Sequence, residues 1–376
     1  MRLESYRSPE LSRRLAARVA VLARELGREI AIMEVCGTHT MAIARCGMRS
    51  LLPESIRLLS GPGCPVCVTA QRDLDRAIAI ALQHPVQVVT FGDMFRVPGS
   101  QASLEQAKAA GARVTTAYSP LAALELARAE PRTQVVFIGI GFETTAPALA
   151  ATLQRARAEK LDNLSLLALC KLVPPALRAI LNGVARPSGS RGDPEDHATK
   201  IDGFLLPGHV SVVLGSRPYA FIPAEFGIPC VIAGFEPVDI LQGLLMLLEQ
   251  IGQRRPAVEI AYRRAVSPEG NPAARALLAE VFVPCEAEWR ALGSLSGSGL
   301  ALAPAYESFD AGRRFPVSLP ESREALGCIC GKVLTGRATP RDCPLFGKSC
   351  TPEAPVGPCM VSSEGACAAC YQYGAR

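Results

Sequence analysis

Long apolar runs are missing from this 376-residue chain. The longest candidates, VVFIGIGF and LLMLL, have the length of buried core segments and are too short to cross a bilayer. The amino terminus lacks the continuous apolar segment of a targeting peptide, because Glu4, Glu10 and Glu25 interrupt it. We therefore expect a cytoplasmic protein with no membrane partner that begins with an amphipathic helix. The buried stripe expected on that helix consists of Leu15, Val19, Leu22 and Leu26.

Strong charge of either sign is also absent. The net charge is +5, from 40 basic and 35 acidic residues, and no cluster of lysine and arginine is interleaved with aromatic residues. Nucleic acid is therefore not an expected partner. The chain has no G-x-G-x-x-G opening a helix and no Walker A sequence, so no nucleotide is assigned. A hydrophobic content of 49% against 20% charged residues excludes a disordered chain.

Cysteine is what the chain has in excess, with fourteen residues. A reducing compartment does not favour a structural disulfide framework, so dense cysteines there indicate metal or redox chemistry. Seven of them fall between Cys328 and Cys370, in a segment rich in glycine and proline. Such a segment has little apolar core, and a bound metal or cluster would substitute for it.

Short β-rich runs alternate with amphipathic helical patterns between residue 30 and about residue 250, which is typical of βαβ units and parallel sheets. We predict an α/β fold of two doubly wound parallel-sheet lobes plus a loop-rich carboxyl-terminal domain. The expected domains are residues 1–130, 131–255 and 256–376, with four strands in each lobe. Residues 186–200 predict an exposed loop, and GSLSGSG at 293–299 predicts a linker. The candidate strands are IAIMEV, IRLLS, VQVVTF, RVTTAY, QVVFIGI, LSLLALC, GFLLP and PCVIAG.

Unusual residues follow several of these strands. CGTHT comes after the first strand, GPGCPVC after the second, GD after the third, GFETT after the fifth and PGHVS after the seventh. The loops that leave the carboxyl ends of parallel strands form the ligand crevice of an open sheet. These motifs could therefore converge in space although they lie far apart in the sequence.

The seven late cysteines could hold either of two thiolate centres, structural zinc or a four-iron cluster, and their spacing bears on the choice. Structural zinc typically uses paired C-x-x-C knuckles, and only Cys367 and Cys370 have that spacing. The longer gaps of six to twelve residues favour a four-iron cluster held by four cysteines. The surplus thiols could form a redox-active pair, which resembles the arrangement in ferredoxin:thioredoxin reductase. A zinc-stabilised interaction module remains an alternative, as does a set of packed structural thiols.

The early cysteines have both a structural and a functional interpretation. Cys64 and Cys67 in C-P-V-C can form a reversible disulfide, bind a metal or pack as small hydrophobic residues. An electron-carrying cluster in the same chain would favour the redox role. Cys36 is either a buried residue that ends a strand or a thiolate ligand with His39 as a nearby proton carrier. Glu143 in GFETT either offsets a helix dipole or acts in the site.

Five motifs together carry a family resemblance: MEVCGTHT, GPGCPVCVT, GFETT, PGHVS and the cysteine-rich tail. In this order they resemble the HypD family of hydrogenase maturation proteins over nearly the whole chain. The resemblance implies a scaffold that assembles the Fe(CN)2CO group of nickel–iron hydrogenases. It also implies a HypC-type chaperone as partner, HypE and HypF as cyanide donors, and the hydrogenase large subunit as an indirect partner.

The same resemblance implies roles for particular residues. Cys36 would hold the iron of Fe(CN)2CO, Cys64 and Cys67 would be the thiol pair near it, and His39 and Glu143 would handle protons or orient ligands. For the tail it implies a [4Fe-4S] cluster with cysteine ligands and a separate redox pair. The implied ligands are Cys328, Cys343, Cys350 and Cys367, and the implied redox pair is Cys330 and Cys359.

Cys370 departs from the family pattern, because relatives tend to carry tyrosine at this position. It is either a spare thiol or an alternative ligand. We also form the hypothesis that electrons pass from the cluster through Cys330/Cys359 to Cys64/Cys67. The alternative function is a stand-alone iron–sulfur protein disulfide reductase of the ferredoxin:thioredoxin reductase type.

Overall fold

A computed structural model describes residues 3–183 and 200–374. The predicted loop at 186–200 lies, except for Lys200, outside the described residues. None of the helices in the described part combines the length and apolar content needed to cross a bilayer. The strands are β1 Ile30–Glu34, β2 Ile56–Ser60, β3 Val86–Phe91, β4 Arg113–Ala117, β5 Gln134–Gly139, β6 Leu164–Ala168, β7 Gly203–Pro207, β8 Cys230–Ala233, β9 Val258–Ile260, β10 Phe282–Trp289 and β11 Gly293–Leu302.

Helices connect the strands, and the described part of the cysteine-rich tail consists of short helices joined by loops, which confirms its predicted loop-rich character. Short 3-10 helices span Leu3–Arg7, Arg217–Tyr219, Pro304–Phe309 and Pro340–Asp342. The α-helices are α1 Pro9–Leu26, α2 Gly37–Arg45, α3 Met48–Leu51, α4 Pro65–Val68, α5 Gln71–Gln83, α6 Gly92–Phe95, α7 Leu104–Ala109, α8 Leu121–Ala129, α9 Ala146–Ala158, α10 Val173–Leu181, α11 Gly208–Leu214, α12 Phe221–Phe226, α13 Pro237–Gln253, α14 Pro272–Val281, α15 Ala311–Arg314, α16 Cys330–Leu334, α17 Pro358–Val361 and α18 Ala366–Tyr373.

Two parallel sheets contain the strands β1 to β9, and this confirms the α/β class with two lobes. The eight predicted strands are β1 to β8, each within two residues of its expected bounds. The first sheet has the order β2-β1-β7-β8-β9 and the second has the order β4-β3-β5-β6. Helices cover both faces, as buried parallel sheets require.

The expected grouping of four consecutive strands in each lobe is wrong. β1 pairs with β2 and β7, whereas β3 pairs with β4 and β5. The chain leaves the first sheet after β2, builds the whole second sheet, and returns with β7. The bounds 1–130 and 131–255 therefore do not follow the sheets, and β9 from the expected third domain completes the first sheet. Periodicity locates a strand but carries no information about its partner.

Each sheet has a topological switch point. The order reverses between β1 and β7 in the first sheet, and between β3 and β5 in the second. Loops that leave the carboxyl ends of such strands diverge and open a crevice for ligands. CGTHT and PGHVS follow β1 and β7, while GD and GFETT follow β3 and β5. Four of the five strand-end motifs therefore lie at switch points.

A shared apolar core joins the two lobes. Met33 and Phe204 enter it from the first sheet, Val88 and Val136 enter it from the second, and Cys67 lies in the same cluster. The outer faces of the sheets have separate cores, which are covered by α1 and α13 on the first sheet and by α8, α9 and α14 on the second. Packing therefore fixes the switch points of the lobes relative to each other.

Helix α1 packs against α13 through smaller residues than expected. Val19 is fully buried, but Leu15, Leu22 and Leu26 are only partly buried. Small side chains allow the two helix backbones to approach closely, with the leucines at the edges of the contact. The buried positions are Ser12, Ala16, Val19 and Ala23.

The prediction of a linker at GSLSGSG is wrong. These residues form the first part of β11, which pairs antiparallel with β10. Small residues are needed here for close packing: a Cβ on Gly299 would lie 2.6 Å from the Cβ of Ala287. The Ser298 hydroxyl accepts a hydrogen bond from the Trp289 indole N–H at 2.9 Å. Glycine and serine are as typical of linkers as of closely packed strands, so composition alone misleads.

Candidate functional site

The loop after β1 places Cys36 at the start of α2, where its thiol is buried. The loop after β2 passes over it closely, because a Cβ on Gly63 would lie 2.3 Å from the Cys36 nitrogen. The Gly37 N–H donates to the Gly63 carbonyl at 2.8 Å. Burial, followed by the charge of Glu364, raises the pKa of Cys36 to about 12. The thiol therefore stays protonated unless a cation such as a metal ion replaces the proton.

Cys67 lies on the single turn of α4 and Cys64 is its N-cap residue, and both are buried. The Cys67 N–H donates to the Cys64 sulfur at 3.2 Å. Burial alone would raise the pKa of Cys67, but hydrogen bonds with Cys359 and Cys64 and the charge of Arg290 outweigh it and lower the pKa to about 5. Burial and the neighbouring Cys67 raise the pKa of Cys64. The pair thus favours a thiolate on Cys67 and a thiol on Cys64.

Polar groups from distant segments surround the early cysteines. The Cys64 thiol donates to the Ser362 hydroxyl at 3.4 Å, and that hydroxyl donates to Asp93 Oδ2 at 3.0 Å. Asp93 belongs to the GD motif after β3. The Thr38 hydroxyl donates to Glu364 Oε1 at 2.6 Å. Residues 362–364 therefore tie the loop after β1, the α4 turn and the loop after β3 together.

Six of the seven late cysteines line one cavity, whose remaining lining is apolar. Gly357 is required at its wall, because a Cβ there would lie 2.7 Å from the Cys328 sulfur. The Val356 N–H donates to the Cys350 sulfur at 3.4 Å. Burial, followed by the neighbouring Cys330, raises the pKa of Cys328 to about 12. The six are Cys328, Cys330, Cys343, Cys350, Cys359 and Cys367.

Cys370 lies apart from this thiol-lined cavity. It lines a separate groove of about 470 Å³ together with residues of α2, β2 and the tail, including Thr40 and Leu58. The C-x-x-C spacing of Cys367 and Cys370 therefore does not bring both thiols to one centre. Across residues 3–183 and 200–374, no three histidine, cysteine, aspartate or glutamate side chains converge closely enough to hold one metal ion.

Cys359 connects the thiol-lined cavity to the α4 pair. Its sulfur lies within hydrogen-bond reach of Cys330, Cys367 and Cys67, and these contacts, followed by burial, raise the pKa of Cys359. Helix α17, which carries it, packs against α4. The two predicted redox pairs, Cys64/Cys67 and Cys330/Cys359, are therefore neighbours in the structure.

His39 is fully buried in the first turn of α2. Its Nε2 lies 2.9 Å from the Gly234 carbonyl, whereas Nδ1 has no partner in the described part of the chain. Burial lowers the pKa of His39 to about 4, so the ring is neutral at pH 7. A carbonyl only accepts, so Nε2 carries the hydrogen and Nδ1 keeps a free lone pair. His39 and His209 both pack against Phe235, with ring centroids at 4.8 and 3.8 Å.

Glu143 lies in the loop after β5 and is only 1% exposed. Its Oε1 accepts the Val173 N–H at 2.9 Å, and its Oε2 has no partner among the described residues. Burial raises the pKa of Glu143 to about 7. Burial and the charge of Glu143, with a smaller effect of Cys36, also raise the pKa of Tyr219. Tyr219 therefore lies within electrostatic reach of both GFETT and Cys36.

Comparison with known proteins places the chain in a family. The profile of the family described as HypD, hydrogenase formation hypA family, matches residues 10–374. The chain belongs to the HypD family. Hydrogenase maturation factor HypD of Rhodobacter capsulatus is 47% identical over 378 residues, which cover 98% of this chain and 97% of the relative. Hydrogenase expression/formation protein HupD of Azotobacter chroococcum is 47% identical (99% and 96% covered), and hydrogenase maturation factor HypD of Escherichia coli is 45% identical (99% and 97% covered).

Several residues of this HypD-family site were missed by sequence reasoning. Asp93 had a signal, because GD follows a predicted strand, but Ser362 and Glu364 sit in an irregular segment without one. Arg290 and Tyr219 reach the site from elements far away along the chain. The Cys170 and Cys230 thiols, which lie outside the site, donate to the Gly139 and Ile228 carbonyls at 3.5 and 3.7 Å.

Proposed function

We propose that this HypD-family chain is a hydrogenase maturation scaffold that assembles the Fe(CN)2CO group together with a HypC-type chaperone. Cys36 holds the cargo iron, HypE and HypF supply cyanide, and the hydrogenase large subunit receives the product. The observation that carries this proposal is the position of Cys36 at the switch point of the first sheet, directly under the loop that carries Cys64 and Cys67. A soft thiolate suits low-spin iron with cyanide and carbonyl ligands.

The protonation of Cys36 and of the groups near it affects how iron binds. Because the pKa of Cys36 is raised to about 12, iron must displace a proton when it binds. His39, three residues further along the same turn, has a pKa of about 4, so its Nδ1, which has no partner among the described residues, serves as a hydrogen-bond acceptor that orients a ligand and does not store that proton. Glu143, with a pKa near 7, can exchange a proton at physiological pH.

We assign a [4Fe-4S] cluster to Cys328, Cys343, Cys350 and Cys367. The donor set supports this, because the cavity is lined by thiols and apolar groups and Gly357 leaves room beside Cys328. A single zinc ion needs four ligands about 2.3 Å from one point, whereas a cluster spreads its ligands over four irons. The gaps of six to twelve residues between most of the late cysteines, unlike the paired C-x-x-C knuckles of structural zinc, favour the cluster. When bound, the cluster would supply electrons one at a time.

The two neighbouring pairs can exchange a disulfide. The Cys359 thiolate attacks the Cys67 sulfur of a Cys64–Cys67 disulfide, so that the Cys67–Cys359 bond forms and the electron pair of the broken bond leaves on Cys64. The Cys330 thiolate then attacks Cys359, and the second electron pair leaves on Cys67. Cys64/Cys67 is thereby reduced by two electrons and Cys330/Cys359 is oxidised by two. Cys330 and Cys359 release two protons; Cys64 takes up one of them, and the other passes to solvent because Cys67 leaves as a thiolate.

A stand-alone protein disulfide reductase fits less well. Its thiols must meet a disulfide on another protein, but Cys64, Cys67, Cys330 and Cys359 are all less than 5% exposed. A buried thiol reacts readily with a neighbouring thiol and poorly with an external macromolecule.

Complementation tests the scaffold role. A strain that lacks its own HypD-type gene receives the wild-type chain, Cys36→Ala or Cys46→Ala, with matched partner genes. Cys46 ends α2, is exposed and lies at the far end of the same helix, so it is the matched control. We expect Cys36→Ala to abolish hydrogenase activity and Cys46→Ala to preserve it. Full activity with Cys36→Ala would refute the iron-holding role.

A further inference from the structure

The turn between β10 and β11 forms a corner against α4. Thr69 and Trp289 make an isolated antiparallel bridge, and the Arg290 N–H donates to the Val68 carbonyl at 2.8 Å. Val68 is the last residue of α4, one position after Cys67. The corner therefore holds the end of the turn that Cys64 caps and that carries Cys67.

The Arg290 guanidinium is buried beneath this turn. Its side chain is 4% exposed, Nη2 donates to Gln71 Oε1 at 3.0 Å, and Nη1 donates to Glu324 Oε1 at 3.0 Å. Nε has no partner among the described residues. A buried cation with an unsatisfied donor is costly unless an anion lies near it. Glu324 is one such anion, but it is half-exposed. Hydrogen bonds with Cys359 and Cys64, and after them the charge of Arg290, lower the pKa of Cys67, which directly precedes the Val68 carbonyl that the corner holds.

The other side of the corner contacts α16, which begins with Cys330. A Cβ on Gly331 would lie 2.9 Å from the Cβ of Ala291, so the helix and the corner are in close contact. Ala291 holds this position in a left-handed conformation with φ of 71°. One corner thus touches the helices that carry Cys67 and Cys330.

We propose that Arg290 is a positioning residue for the disulfide exchange: it fixes the α4 turn against α16, and its charge stabilises the electron pair that leaves on Cys67. This role rests on the exchange described under the proposed function. In the second step of that exchange, the Cys67–Cys359 bond breaks and Cys67 is the leaving group. A leaving thiolate held beside a cation departs faster, and the reduced Cys64/Cys67 pair is stabilised at equilibrium.

Equilibration with glutathione tests the proposal. The full chain, isolated without oxygen and with its iron and sulfide, is equilibrated at pH 7 in buffers of defined glutathione ratio, and the Cys64–Cys67 disulfide is measured by peptide mass spectrometry after acid quenching. For Arg290→Gln we expect the ratio of reduced to oxidised pair to fall about threefold to tenfold. Arg290→Lys, which keeps the charge, should restore the ratio to within about twofold of the wild type. Arg323→Gln, a 77% exposed arginine of the segment that carries Glu324, is the control and should change nothing.

A second variant separates charge from folding. Glu324 is 54% exposed and neutralises part of the Arg290 charge. Glu324→Gln should therefore raise the ratio of reduced to oxidised pair about twofold, opposite in sign to Arg290→Gln. A purely structural role would shift both variants in the same direction or neither. Unchanged ratios in a folded Arg290→Gln, or a fall for Glu324→Gln, would overturn the proposal.

The ratio of reduced to oxidised Cys64/Cys67 in these buffers is measured independently of hydrogenase maturation. If Cys36→Ala preserves hydrogenase activity but the ratios move as expected, the scaffold role fails and the role of Arg290 stands. If the ratios do not move but Cys36→Ala abolishes activity, only the role of Arg290 fails.

Discussion

Glu143 illustrates how burial sets the chemistry of single residues at this site. The carboxyl is nearly inaccessible, and its Oε2 has no partner among the described residues. Its pKa is raised to about 7, so the folded chain binds a proton on Glu143 that the unfolded chain releases near pH 4.5. The stabilisation from this proton is complete below pH 4.5 and is lost as the pH rises towards 7.

Glu143→Gln should remove this pH dependence, because the amide is neutral at every pH. We expect the variant to match the wild type in urea unfolding at pH 5 and to be more stable by about 1–2 kcal/mol at pH 8. The exposed Glu25→Gln is the control and should show the same stability difference from wild type at both pH values. An equal difference at pH 5 and pH 8 for Glu143→Gln would show that the carboxyl is not held protonated.

Residue types and spacing predicted part of the site. Cys36, Cys64 and Cys67 have a recognisable position after strands, and the structure brings them together. Ser362 and Glu364 could not be predicted, because a serine or glutamate in an irregular segment has no pattern that distinguishes it. Their role depends on which distant loop the segment contacts, and only the folded chain defines that.

Among the structural elements, the loop after β2 depends on one glycine. A methyl group on Gly63 would overlap the Cys36 backbone, so the loop must move away from α2. We expect Gly63→Ala to lower the free energy of unfolding by about 1–3 kcal/mol, the usual cost of overpacking. The measurement is the urea unfolding midpoint of the reduced chain.

Gly92→Ala is the matched control for this change. Like Gly63, Gly92 lies shortly after a strand and close to the start of a short helix, but a Cβ there would have nothing within 4 Å. The Gly92→Ala substitution should change the free energy of unfolding of the chain by no more than about 0.5 kcal/mol. Equal effects of the two substitutions would mean that the close approach of Gly63 to Cys36 is not a constraint.

Local pattern predicted the elements better than their partners. Runs of Val, Ile and Leu identified β1 to β8, because these residues suit a buried parallel strand. The assignment of β1 and β2 to a sheet with β7 was not predictable, since it depends on contacts more than 140 residues apart in sequence. The sequence prediction missed β11 because a closely packed strand needs the same small residues that a linker contains.

For the whole molecule, the shared core holds two switch points together and the carboxyl-terminal segment bridges them. That segment contributes Leu334 and Cys359 to the shared core, and the proposed cluster would order the loops around the thiol-lined cavity. Removal of iron and sulfide should therefore make Lys332 and Lys348 at least about tenfold more sensitive to trypsin. Digestion at Arg13 in helix α1 should not change, because that helix packs on the first sheet. Equal digestion at all three sites with and without iron would contradict a structural role of the cluster.

The central claim, that Cys36 holds the iron of Fe(CN)2CO, is tested most directly by infrared spectroscopy. The chain is coproduced with its accessory partners, isolated without oxygen, and compared with Cys36→Ala prepared in the same way. We predict cyanide and carbonyl stretching bands in the wild type and none in the variant. Bands that persist in Cys36→Ala, or a wild-type chain that contains iron and sulfide but shows no such bands, would contradict the claim.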